Sequence, residues 1–315
     1  MSPERKADLA RSVHQRLLNR ARALGRPFGE LLQYFAMERF LDRLARSPHR
    51  DEFLLKGALM LGVWGVPVPR ATMDIDLLGR EGLSASDLEA AVRACLAVPA
   101  DDGLVFHPES VAADPIRGGD EFLGLRLLFK AHLGNARIQL QLDVGLGDAV
   151  VPPPVWFDLP SLLDFAPPHL RGYRPETAIA EKFDAMLRLD MANSRMKDFY
   201  DLGVLAAHLP FEGGVLQAAL RGTLERRGAK VPAVTPTALT GAFFDDPMKI
   251  TQWTAFAKRL PAGAAPPTLR ETVEGVRAFL LPLILALSKG ETFDAIWPPG
   301  GPWETPRSKT KGADR

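Results

Sequence analysis

A single cysteine, Cys95, stands in 315 residues, so no internal disulfide can form, and a reducing compartment is expected. The formal net charge is only +1. No global basic field marks the chain as a nucleic-acid binder, and any such contact must use a local patch. Long apolar runs are missing as well. Residues 279–287 form the most apolar late stretch, but it contains Pro282 and falls far short of the ~20 residues a membrane helix needs. It reads as a buried helix. The opening MSPERKADLARSVHQRLL is charged throughout, with no apolar core of signal-peptide type. The expectation is a cytoplasmic protein without membrane contact. G-K-[ST], H-E-x-x-H, paired C-x-x-C and G-x-S-x-G are all absent, which sets aside the chemistries those motifs carry. The histidines are scattered, and His107, His132, His169 and His208 show no ligand spacing. Cys95 lies between Ala94 and Leu96 and reads as a small core residue.

What is present is a chain 46% hydrophobic and 24% charged, the balance of a globular protein with a real core. Its length suggests about two domains, or one with appendages. Leu9, Val13, Leu17 and Leu18 recur at helical spacing, as do Leu31, Leu32, Phe35, Phe40, Leu41 and Leu44. Arg39, Arg43 and Arg46 mark the other side of the second helix, as a solvated face or a phosphate-contacting edge. A helix from Asp51 through Met60 is expected next.

The stretch KGALMLGVWGVPVPRATMDIDLL, residues 56–78, is the one around which the rest is organised. If residues 74–78 form a strand, Asp74 and Asp76 point one way, and Ile75 and Leu77 point the other. Two acids on one face repel unless a cation sits between them, and Mg²⁺ takes one or two carboxylates plus substrate phosphates. Taken alone, a D-x-D on a solvated edge strand has the same pattern. Arg70 and Thr72 lie in the turn before it, and Lys56, Gly57 and Ala58 open the run. Residues 84–98 form a helix opened by Ser84 or Ser86. Residues 104–150 are a β region, with strands at 122–129 and 136–146 joined by Gly134-Asn135. Asp143 falls on the polar face of the second, where a third acid suits a two-metal phosphoryl-transfer site. Asp148 reads as a turn residue.

Pro152–Pro154 and Pro167-Pro168 bracket an expected surface connector. Pro175 then opens a helix on which Ile179, Lys182, Phe183 and Met186 share a face. Lys182 either snorkels or binds a phosphate as a point charge. On the next helix Asp198, Asp201, Leu202 and Leu205 share a face, with Arg195 one turn earlier. Asp198 is read as a salt bridge to Arg195 or Lys182, or as a site residue. Residues 203–297 are mainly helical, and 298–315 have the composition of a flexible tail. The expected divisions are 1–165, 166–297 and 298–315.

Four segments together resemble the AbiEii/AbiGii-type toxins of nucleotidyltransferase fold, over roughly residues 30–210. They are ERFL at 38–41 with FLLKG at 53–57, RATMDID at 70–76, LDVGLGD at 142–148, and ETAIAEK at 176–182 with NSRMKDFYD at 193–201. The resemblance implies an α/β (α+β) fold. It would have a polymerase-β-like core with a small mixed sheet, flanking N-terminal helices and a helical C-terminal domain. It implies that Asp74 and Asp76 hold Mg²⁺, or Mn²⁺, against an NTP. Asp143 is implied as a third metal ligand or the group that activates the attacking hydroxyl. Lys182 matches the family's helical lysine and is implied to bind the triphosphate. Asp198 matches the acid of its R-x-K-D motif, which begins at Arg195. Gly57-Ala58 replaces the Gly-Ser common in polymerase-β-like enzymes, so backbone N–H groups must serve where a serine hydroxyl would.

The implied activity is a toxin that transfers NMP from an NTP to the 3′ end of tRNA and blocks translation. Phage defence and a separate cognate antitoxin are implied with it. Two other functions are carried beside this one: nucleotidylation of a protein, and nucleotide binding without catalysis.

Overall fold

The computed structural model describes residues 3–67, 70–118, 121–261, 264 and 267–305. The chain divides into two compact units. The first comprises 1–148, 154–173 and 261–264, and the second 149–153, 174–260 and 265–315. The main boundary falls after Tyr173, later than the expected 165, because strand residues continue to Gly172.

The first unit begins with helices α1 (Pro3–Leu24) and α2 (Phe28–Arg46). Then follow strand β1 (Phe53–Lys56), short helix α3 (Leu59–Val63) and strand β2 (Asp74–Gly79). The expected helix from 51 to 60 is therefore a strand and a short helix. Its apolar run, FLLKGALML, suits either state, and only sheet pairing decides. Helix α4 (Ala85–Ala97) carries the expected Ser84 cap, closed into a capping box with Asp87. Strands β3 (Leu104–Gly118), β4 (Glu121–Leu133) and β5 (Ala136–Leu146) form a meander, and Gly134 turns the last hairpin at φ +56°. Strands β6 (Val155–Asp158) and β7 (His169–Gly172) lie in the stretch expected to be a surface connector. The sheet has seven strands in the order β3-β4-β5-β2-β1-β7-β6, larger than the small sheet expected. β2–β5 and β1–β7 are parallel pairs and the others antiparallel, so the fold is mixed α/β.

One face of the sheet is covered. Leu17, Phe35, Phe40 and Leu88 from the helices join Ile75, Leu77, Phe129, Leu140 and Leu142 in one buried cluster. Cys95 is buried here, and its thiol is pushed up to about 11, mainly by burial. Arg39 and Arg43 belong to this interior and not to a solvated face. Arg39 pairs with Glu38, and Arg43 grips Asp102 with both terminal nitrogens at 2.6 and 3.2 Å. Only Arg46 stays outside, on Asp42.

The second unit is helical: α5 (Pro175–Leu189), α6 (Met196–His208), α7 (Gly213–Arg226), α8 (Gly241–Phe244), α9 (Pro247–Ala257) and α10 (Leu269–Ser288). A two-stranded ribbon, β8 (Phe211–Glu212) with β9 (Ile296–Trp297), completes it. Trp253 and Phe256 of α9 are buried, so the aromatic side of this helix is packing. Pro210 has no N–H to give the Ala206 carbonyl four residues back. Trp297 Nε1 and the Gly300 N–H take its place, at 2.7 and 3.0 Å. Trp303 stacks on Phe279 and donates to its carbonyl at 2.8 Å. The stretch 298–305, expected to begin a flexible tail, is thus packed into this unit, because its tryptophan buries more than its prolines and glycines loosen. Residues 306–315 lie outside the described residues. Among the described residues no helix is long and apolar enough to cross a membrane.

Candidate active site

β2 is the central strand, and its alternation separates two chemistries. Ile75 and Leu77 are buried in the core, while Asp74 and Asp76 stand half-buried on the opposite face. Register sets their neighbours. Asp76 is opposite Asp143 on parallel β5 and opposite Lys56 on antiparallel β1. Three acids therefore share one face, with Gln141 beside Asp74.

Gly57 is required where it stands. Its φ is +74°, and a Cβ there would overlap Asp76 Oδ2 and lie 2.7 Å from Asp76 Cβ. The bare backbone leaves the space that the Asp76 carboxylate fills. Gly57→Ala should displace that carboxylate and strain the backbone by ~1–2 kcal/mol. A displacement on the order of 1 Å costs ~100-fold in a positioned reaction. Nucleotide transfer by the variant, measured beside its thermal midpoint, checks this. Full activity would show that Asp76 tolerates the shift.

Asp143 is held from the other side. Arg126 Nε and Nη2 grip its two oxygens at 2.8 and 2.7 Å, a bidentate fork. These hydrogen bonds foremost, and then the charges of Asp143, Asp74 and Asp76, hold the Arg126 guanidinium more firmly protonated than usual. Arg126 is 45% exposed, so the pair is worth only ~0.2–1 kcal/mol and fixes orientation more than stability. Among the described residues, no three His, Cys, Asp or Glu groups are arranged to hold a metal ion. Asp74, Asp76 and Asp143 share one face, and both oxygens of Asp143 meet Arg126. Asp74 and Asp76 alone suit Mg²⁺, which accepts two hard carboxylates and completes its shell with waters and phosphates. The structural observation that fits such a group is the donor set, two carboxylates two residues apart on one face of β2, with the bare backbone of Gly57 seating that of Asp76.

The other expected contacts are more local. Lys56 Nζ bonds Asp148 Oδ2 at 2.9 Å and lies 5.3 Å from the Tyr173 ring centre. Ala58 is buried behind Gly57. Thr72 Oγ1 lies 3.3 Å from the Asp74 carbonyl and accepts from the Asp74 N–H at 3.4 Å, so it fixes the turn into β2. Arg70 Nη1 is 3.5 Å from the Ala71 carbonyl in the same turn.

In the second unit the α5–α6 pair builds a charged knot. Lys182 Nζ lies 2.8 Å from both Asp198 Oδ1 and Asp201 Oδ2, and Arg195 Nε lies 2.7 Å from Asp198 Oδ2. Asp198 is wholly buried. Burial pushes its carboxyl up, but Lys182 and Arg195 outweigh that and hold it below the ordinary value of 3.8. Both salt bridges that the sequence offered for Asp198 are present. Asn193 ties the turn ahead of α6 by accepting from the Arg195 N–H at 2.8 Å. The buried Lys249 Nζ donates to the Asn193 carbonyl at 2.9 Å.

Arg126 and the Lys56–Asp148 pair were not foreseen from the sequence. For Arg126 the signal was available. In a hairpin turning on Gly134-Asn135, Leu133 pairs with Ala136, and counting out equally along both strands sets Arg126 opposite Asp143.

Residues 39–275 match the family model described as nucleotidyl transferase AbiEii toxin, type IV TA system. No curated protein matches the chain. Among solved structures, JHP933 from Helicobacter pylori is similar at 16% identity and a TM-score of 0.48, over 83% of this chain and 94% of that one. A second H. pylori protein, described as a candidate nucleotidyltransferase, is similar at 17% identity and a TM-score of 0.45, over 82% and 96%. With three-quarters of its length inside that family model, and the acid pair of β2 within the match, the chain belongs to the AbiEii family of nucleotidyl transferase toxins.

Proposed function

We propose that the chain transfers NMP from an NTP to the 3′-terminal hydroxyl of tRNA, with Mg²⁺, and so blocks translation. The observation that carries this reading is the Asp74–Asp76 pair on the polar face of β2, with Gly57 leaving room for Asp76. Asp74 and Asp76 would hold the Mg²⁺, which when bound would neutralise charge on the triphosphate. The acceptor oxygen attacks the α-phosphorus in line, the bond to the bridging oxygen of the β-phosphate breaks, and pyrophosphate leaves with the electron pair. Asp143 takes the proton of the attacking hydroxyl, its carboxylate oriented by the Arg126 fork. Backbone N–H groups at Gly57-Ala58 receive triphosphate oxygens, and Lys56 and Arg70 add positive charge nearby. For Lys182 of the second unit the family motif implies a phosphate-binding role, with Arg195 and Asp198 as the groups around it. Positioning and electrostatics do the work, since phosphoryl transfer asks little covalent chemistry of a protein. Membership in a type IV family supports a separate cognate antitoxin as partner.

The test offers each α-labelled NTP to the purified protein with total tRNA or with protein extract, in Mg²⁺ or in EDTA. Label on RNA in Mg²⁺ alone is the expected result, and it names the nucleotide. Label on polypeptide would replace tRNA by a protein acceptor. NTP binding with no pyrophosphate release would replace transfer by nucleotide-dependent regulation.

A further inference from the structure

The face that carries the acids continues away from them along β3, β4 and β5, and it ends in a groove of about 1050 Å³. Register fixes what lines it. Lys130 of β4 sits between His107 of β3 and Gln139 of β5, and His132 sits opposite Arg137. A register shift between His107 and Ala112 bulges β3 outward and brings Ser110 to the rim, where it accepts from the Lys130 N–H at 2.9 Å. Asn135 of the hairpin closes the end. A shallower depression alongside shares His132 and Gly134 with the groove and adds Lys6 of α1.

The charges here differ from those at the acid site. Lys6, Lys130 and Arg137 are exposed, and none forms an ion pair with another described residue. Glu109, the acid in the lining, is held by His107 Nδ1 at 2.8 Å. His107 Nε2 and His132 Nδ1 share a hydrogen bond at 2.8 Å, with ring centres 5.0 Å apart. Lys130 and Arg137 stand along the face and Lys6 beyond its end on α1, so the three cations do not converge. A lone phosphate would need convergence, whereas a chain of phosphodiesters meets spaced cations one at a time. The imidazoles supply flat faces for unstacked bases, and Ser110, Asn135 and Gln139 supply neutral hydrogen-bonding groups. Gln139 precedes Asp143 by four residues on β5, which is about 13 Å of strand at ~3.3 Å per residue. That length holds about four nucleotides of a stacked strand at ~3.4 Å each.

We propose that this groove binds the backbone of the acceptor RNA a few nucleotides inside its 3′ end, and so presents the terminal hydroxyl toward the β2 acids. The inference rests on the transfer reading for its direction, but not for its test. Binding of a labelled single-stranded RNA of about 12 nucleotides, within the ~4–16 typical of one such site, is followed by anisotropy across a salt series. Wild type is compared with Lys130→Ala/Arg137→Ala, with the charge-keeping Lys130→Arg/Arg137→Lys, and with Lys289→Ala on the second unit. Each single-strand phosphate contact contributes ~0.7 to the slope of log affinity against log salt, so the double alanine variant should lose about 1.4. Affinity should fall at least about tenfold at low salt, while Mg·NTP binding without RNA stays at the wild-type level. The other two variants should bind RNA as wild type does. An unchanged slope in the double alanine variant, or no RNA binding by wild type, overturns the inference. RNA transfer that persists with an unchanged slope would remove the groove and leave the function. Groove-dependent RNA binding with no label on RNA would leave the groove and remove the function.

Discussion

Asp198→Ala should lower the folding free energy by about 3 kcal/mol, the low end of the range for breaking a buried ion pair from one side. The carboxylate it removes is wholly buried and serves two cations. Arg195 is half exposed and can turn to water once released, so its share is small. Lys182 cannot, since its side chain is only 16% exposed, but it keeps Asp201. Urea unfolding checks the figure, and a loss below about 1 kcal/mol would mean that Asp201 alone neutralises the lysine. The pH dependence has a definite sign. The carboxyl of Asp198 is held below 3.8 in the fold, so its contribution is fully present above that value. It is lost as the pH falls through the lower folded value. The gap between wild type and variant should be constant from neutral pH down to about 5 and close in stronger acid.

Asp76→Asn should cost transfer about 1000-fold, while far-UV circular dichroism stays unchanged. The substitution keeps the shape that fits against Gly57 and removes one charge from the face. A cation site that has lost one of two carboxylates forfeits several kcal/mol of charge stabilisation, and ~1.4 kcal/mol is a factor of ten. Asp76 is the more exposed to such loss because it is central in register, between Lys56 and Asp143. Asp143→Asn should cost less, about 100-fold, the low end for loss of a proton acceptor, and it leaves the β2 pair intact. Equal activity in Asp76→Asn and wild type would remove these acids from the chemistry.

Much of this was legible before any coordinates. The period-two pattern of 74–78 and 136–146 gives both strands and the shared face of Asp74, Asp76 and Asp143, because one buried side forces the alternation. Helices α5 and α6 follow from Pro175 and from apolar stripes at helical spacing. The failures have physical causes. β1 has four residues inside a run that is apolar on every side, so periodicity cannot separate strand from helix. β6 and β7 hide between prolines, and pairing of β7 with β1 and of β6 with β7 makes them strands. Arg39 and Arg43 look like a solvated face until Glu38 and Asp102 are seen beside them. Trp303 sits in a tail whose composition argues for disorder, yet its indole has a ring and a carbonyl to meet.

The strand order carries a consequence for synthesis. β2 leaves the ribosome long before its parallel partner β5, and β1 waits for β7. At ~5–20 residues per second, seconds pass between the emergence of Asp76 and that of Asp143. Parallel pairs so far apart in the chain close late, because loop entropy is spent before contacts reward it. A nascent or truncated chain ending before β5 holds the Asp74–Asp76 pair without its neighbour, on a sheet that lacks the strand joining β2 to β4 on one side and both β7 and β6 on the other. For a protein of a toxin family, the topology itself delays assembly of the acid face until most of the first unit has been made.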